Sequence, residues 1–136
     1  MRMPIPAGWR SVEEDSALIA IGRPPDERGV WSSLTVSVEL LGAREPLEVM
    51  LPAGLRGGME WRDVQHGTCA VGTLECKRMA YAYTDNDRDA MAVETKVVRV
   101  GAYGVKLRCL SQEPQFAEAL RLCDQVIDGL VVEHGR

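Results

Sequence analysis

WRDVQHGTCAVGTLECKRMAYAYTDNDRDAMAVETKVVRVGAYGVKLRCL, residues 61–110, is the stretch whose reading decides the fold. Apolar and polar side chains alternate along one segment after another, which is the period of half-buried strands. Residues 61–71, 73–84, 91–100 and 105–110 read as four strands of a meander, each turning back on the last. Their joints are Gly72, the acidic run TDNDRD (residues 84–89), and GAYG (residues 101–104). With Gly72 and Thr73 as a two-residue turn, Cys69 and Cys76 stand opposite each other across the hairpin. Their Cα atoms would lie about 5.5 Å apart, within disulfide span.

Outward from the meander, Pro114 suits the first turn of a helix. Phe116, Leu120, Cys123, Ile127 and Leu130 then recur as one apolar stripe, and Gly129 ends it, so a helix is predicted over 114–130. In the first half, residues 33–41 alternate, with Leu34, Val36, Val38 and Leu40 on one side and Thr35, Ser37 and Glu39 on the other. Residues 17–22 form a short apolar strand, and the paired prolines of RPPDERG (23–29) rule out helix there. Pro46, Leu47, Met50 and Leu51 read as a helix over one sheet face, broken by Pro52 and the glycines at 54, 57 and 58. The opening segment is extended, with Trp9 packed on the sheet. The residues thus specify an α+β fold, an antiparallel sheet sealed by a C-terminal amphipathic helix, in a single domain over residues 1–136.

At 15.0 kDa the chain can build a core without a metal or disulfide staple. A net charge of −4 and the lack of any basic stripe exclude a nucleic-acid binder. The longest apolar run, Ala17 to Ile21, is far short of the roughly 20 residues a membrane span needs. MRMPIPAGW carries no apolar signal core, so the chain is expected in a bacterial cytoplasm, or outside it only if a targeting segment lies beyond this sequence. In that compartment the four cysteines are expected as free thiols, Cys109 and Cys123 as core, with a Cys69–Cys76 bond as the alternative.

Candidate chemistry is sparse. Asp85, Asp87 and Asp89 imitate the start of a calcium loop, but Ala90 stands at its sixth position and Lys96 at its twelfth, where Gly and Glu are needed. His66, Cys69 and Cys76 could converge on zinc but want a fourth ligand. No nucleophile, base and orienter are grouped, and the other histidine, His134, sits in a polar tail. Catalytic, cofactor and metal residues are therefore expected to be none. The tryptophans at 9, 31 and 61, each at a segment edge beside Arg, Gly or Pro, are the best pointer to a binding surface, joined by Tyr81 and Tyr83. Against this, indoles also plug the ends of sheets. The expected function is non-enzymatic: an adaptor or chaperone-like module holding a protein partner, with self-association as a homodimer going with an exposed apolar patch. A small apolar-ligand carrier, with a pocket between helix and sheet, is the alternative.

The opening PAGW (Pro6 to Trp9), the Gly72 turn followed by Tyr81 and Tyr83, and the closing PQFAEALRLCDQVIDGL (Pro114 to Leu130) resemble the PsbP-like superfamily. That group takes in PsbP, Ran-binding and LpqN-type proteins. The resemblance implies an α/β/α sandwich around an antiparallel sheet and a role in partner binding without catalysis. No functional residue of the family maps onto this sequence by motif.

Overall fold

Gly72 and Gly101 determine where the second half folds back. Both have φ of 60°, while Thr73 and Ala102 after them keep ordinary negative φ. This is the glycine-first geometry that matches the twist of a hairpin, and any side chain at either position would be strained. In the computed structural model, residues 5–11, 19–23, 31–42, 44–51, 61–85 and 88–134 are described, with backbone alone at 19 and 130–134.

Among the described residues, seven strands form one antiparallel sheet: β1 (Arg10–Ser11), β2 (Ile19–Arg23), β3 (Ser32–Leu40), β4 (Arg62–Thr68), β5 (Cys76–Thr84), β6 (Ala90–Val100) and β7 (Tyr103–Gln112). Their order across the sheet is β1-β2-β3-β7-β6-β5-β4. The predicted meander is therefore present. The first half joins it by β3 pairing with β7 along its length, from Ser32↔Ser111 to Leu40↔Tyr103. A 3-10 turn (Glu113–Gln115) leads into the helix α1 (Phe116–His134), and a second 3-10 helix spans Leu47–Met50. No helix among the described residues is long and apolar enough to cross a membrane.

Alternation sends one side of each strand beneath α1. Ile21, Leu34, Val36, Val98, Leu107 and Cys109 meet Ala119, Cys123, Val126 and Ile127 there, with Trp9, Val71 and Cys76 in the same core. The helix's inner face is thus turned slightly from the predicted stripe: Phe116 and Leu120 are only partly buried, while Ala119 and Val126 are 4% and 1% exposed. Leu130 lies outside the described side chains. On the opposite face, Leu47 and Met50 pack with Leu41 on Val97. The predicted helix at 46–51 shrinks to one 3-10 turn; the Pro52-to-Gly58 part of that reading falls outside the described residues, as does the RPPDERG turn after Arg23. Gly104 makes that docking close, because a Cβ on it would overlap the Met50 sulfur.

The cysteine expectation is corrected. Cys69 is bonded to Cys76 with Cα atoms 5.1 Å apart, and Cys109 to Cys123 with Cα atoms 6.2 Å apart. The hairpin geometry set up the first bond: the Cys69 N–H donates to the Cys76 carbonyl at 3.2 Å. The second ties α1 to the central strand β7, and it arises because two cysteines read as separate core residues face each other across the helix–sheet interface.

Beneath α1 the sheet also carries charge. Glu94, 6% exposed, receives Arg78 at 3.0 Å and Lys96 at 3.4 Å, and Lys96 reaches Asp124 of α1 at 2.7 Å. The buried carboxylate is thus paired on two sides, the condition under which burial of a charge is tolerated.

Candidate binding surface

The sheet face away from α1 is where the predicted aromatic residues gather. Strand alternation puts Met79, Tyr81 and Tyr83 of β5 on that face, and the residue just before β4, Trp61, joins them. The Trp61 and Tyr81 rings stack with centroids 4.1 Å apart and planes 16° apart, and Tyr83 follows at 6.1 Å from Tyr81, tilted by 37°. All three rings are partly exposed. Stacked rings hold each other in place, so this row presents a rigid apolar edge with little side-chain freedom left to lose on contact.

Trp9 and Trp31 go elsewhere. Trp9 is 6% exposed in the core under α1, as the packing expectation for the opening segment had it, so it offers no surface to a partner. Trp31 lies at the far end of the helix side, where its backbone N–H donates to the Gln112 side-chain Oε1 at 2.9 Å. It lines a small notch with Arg23, Ser32, Gln115, Glu118 and Leu122. The five aromatic residues therefore split into one core residue, one notch residue and a row of three.

Registered rows cross the aromatic face. Ser33, Leu110, Val93 and Tyr81 align in one; Thr35, Arg108, Thr95 and Met79 in the next; Ser37, Lys106, Val97 and Lys77 in the third. Met91, Val93, Thr95 and Val97 form its buried floor along β6. Arg108 hydrogen-bonds Tyr83. Burial holds the Tyr83 phenol above its ordinary pKa; the Arg108 charge and hydrogen bond pull it down, and Asp85 pushes it up. Lys77 pairs with Glu48 at 3.5 Å. Beside the row, β4 forms the sheet edge, with all seven of its residues exposed and a bulge between Arg62 and Gln65 where Asp63 takes a φ of 55°. Such a bulge twists an edge and blunts its capacity to pair with another strand.

The sequence reading did not single out Arg108, Lys106 or Thr95. The first two alternate with Val105, Leu107 and Cys109, as the polar side of any half-buried strand does. Thr95 was masked by β6, where both faces are apolar enough to hide the alternation. His66 pairs across the ladder with Met79, and the disulfide removes both thiols of the imagined zinc set. No group of three or more metal-ligating side chains occurs among the described residues. Of the acidic loop, residues 86 and 87 lie outside the described set; Asp85 caps its turn by accepting the Asp89 N–H at 2.8 Å.

No family model matches the chain, and no curated protein does. Among solved structures it is similar to LpqN, involved in cell envelope biogenesis of Mycobacterium tuberculosis. The two superpose with a TM-score of 0.63 over 94% of this chain and 79% of that one, at 18% identity. The chain has an LpqN-like fold.

Proposed function

We propose that this chain is a non-enzymatic interaction module of the PsbP-like superfamily, an α/β/α sandwich whose second helical layer is the short 3-10 turn at Leu47–Met50, and that it holds a protein partner on the sheet face away from α1. The observation that carries the reading is the stacked row of Trp61, Tyr81 and Tyr83 left partly exposed beside an edge strand. Aromatic side chains in this state supply large contact area for little ordering cost, and such residues dominate the energetics of interfaces. A buried core needs no such row on the outer side of its sheet. With all four cysteines bonded, no thiol stands ready as a nucleophile, which favours binding over catalysis. An apolar-ligand carrier is less well supported, because Leu34, Leu107, Cys123, Val126 and Ile127 close the space between helix and sheet.

Two disulfides belong with an oxidising compartment, so we place the module in the cell envelope and not in the cytoplasm expected from its opening residues. The likeness to LpqN, itself involved in cell envelope biogenesis, supports that placement. The test replaces Tyr81 with the photo-crosslinker benzoylphenylalanine, with Glu118 on α1 as the control position, in the native host. A discrete adduct from position 81 only, lost when Trp61→Ala is added, is expected; its mass separates a second copy of this chain from another protein. Equal labelling from both positions, or none from 81, refutes the reading.

A further inference from the structure

Polar side chains on a sheet face are as a rule satisfied by solvent or by a partner group. Thr95 departs from that rule. It is 1% exposed, its Oγ1 has no hydrogen-bond partner among the described residues, and alternation turns it to the face opposite α1. A buried hydroxyl left unpaired lowers stability, and each such group in a folded chain asks for an explanation, of which the polar atom of a bound ligand is one. Its neighbours across the ladder are Arg108 and Met79, with Thr35 beyond Arg108. In the adjoining row Ser37 flanks Lys106. The central strand therefore holds two cations two residues apart, each beside a hydroxyl on β3. Lys77 of the same face is occupied by Glu48, and Arg108 gives one donor to Tyr83, which leaves others of its five. Lys106 has no partner among the described residues; Glu39 stands in the adjoining row on β3, opposite Gly104, and Glu48 reaches the far end of the Lys106 row at Lys77. In a chain of net charge −4 this is a local basic patch.

We propose that Thr95, Thr35, Ser37, Lys106 and Arg108 form an anion subsite that takes the side-chain carboxylates of an acidic peptide segment. The proposal rests on the reading of this face as the docking surface and gives the partner its chemistry. An extended peptide repeats its side chains on one face every two residues, about 6.6–6.8 Å, the spacing between positions 106 and 108 along β7. Carboxylates at positions i and i+2 then meet Lys106 and Arg108, whose planar fork suits a carboxylate. The side chain at i+4 falls over the next row, Leu110, Val93 and Tyr81, and should be apolar. A single phosphate group would satisfy one cation of the pair and leave the aromatic row unused.

The probe is the capped peptide acetyl-Glu-Ser-Glu-Ser-Leu-amide, with its Gln-Ser-Gln analogue, inorganic phosphate and anionic phosphatidylglycerol vesicles as further arms, titrated into the whole chain and read by amide chemical shifts. The expected result is that the Glu peptide moves the amides of residues 95, 106, 108 and 81, that the Gln peptide binds at least tenfold more weakly, and that added salt weakens only the Glu peptide. Arg108→Gln and Lys106→Gln should each cost the Glu peptide about tenfold, and the near-isosteric Thr95→Val several-fold with the fold intact by circular dichroism. Equal binding of the two peptides at the aromatic row sinks the anion subsite and leaves the docking face standing; no shift at that row with either peptide sinks both. Phosphate or vesicles binding at these residues more tightly than the Glu peptide would overturn the peptide assignment.

Discussion

Removing each disulfide separately tests the core of this structure. Cys109 and Cys123 are 14 residues apart in sequence and Cys69 and Cys76 are 7 apart. Loop-closure entropy in the unfolded chain then makes the first bond worth about 3 kcal/mol and the second about 2.5 kcal/mol at 25 °C. Loop length alone hardly separates them; burial does. Cys123 and Cys109 are 0% and 3% exposed between helix and sheet, so the double substitution Cys109→Ala/Cys123→Ala also leaves a void costing about 1 kcal/mol. Cys76 is 4% exposed, but Cys69 is partly exposed, so that pair leaves a smaller void. Urea unfolding followed by circular dichroism, with a slope of about 2 kcal/mol/M, should show the midpoint falling by about 2 M for the helix-anchoring pair and about 1.2 M for the hairpin pair. Thiol titration of the unfolded, unreduced wild type should find none. Four free thiols, or midpoints that do not move, would refute both bonds and the oxidising compartment argued from them.

Gly104→Val should drive its side chain into Met50 and lift the Leu47–Met50 turn off Val97, costing about 1–3 kcal/mol; hydrogen exchange at residues 47–51 should speed up more than elsewhere. Glu94→Ala strips the shared carboxylate from Arg78, which is partly solvated, and from Lys96, which keeps Asp124, and should cost about 1.5–3 kcal/mol in a thermal or urea melt, whereas a surface pair such as Arg62–Glu113 should cost under about 1 kcal/mol when broken. Tyr83 should ionise above the ordinary tyrosine range in a 295 nm titration read against Tyr83→Phe, and Arg108→Gln should move it higher still, because the guanidinium lowers it. As the unfolded chain gives up that proton first, stability should fall as pH rises past about 10, and less so in Tyr83→Phe.

The meander was legible because two of its three turns carry glycine and its strands, β6 apart, alternate, and both signals survive in the pairing of residues 76–112. Alternation assigns faces, not neighbours, so nothing local said that β3 would pair with β7 instead of β4. The same limit hid the second disulfide: Cys109 and Cys123 each fitted an apolar face, and only the placement of α1 over β7 brings them together. At the helix, Phe116 as the largest apolar group drew the predicted stripe toward itself, whereas packing buried the smaller Ala119 and Val126, which fit closer to the sheet. Of the aromatic surface, the Tyr81–Tyr83 pairing followed from period two; that Trp61 stacks on it while Trp9 turns inward depends on contacts distant in sequence.

The strand made last stands in the middle. With β7 flanked by β3 on one side and β6 on the other, a chain leaving the ribosome must expose one flank of β3 until residues 103–112 emerge, some seventy positions afterwards. Closing so wide a span before any reward slows assembly and leaves an unsatisfied backbone row open to strangers meanwhile. Synthesis of this protein should therefore lean on a holding chaperone until its carboxyl-terminal quarter arrives, and truncations that stop before Tyr103 should precipitate and not fold in part.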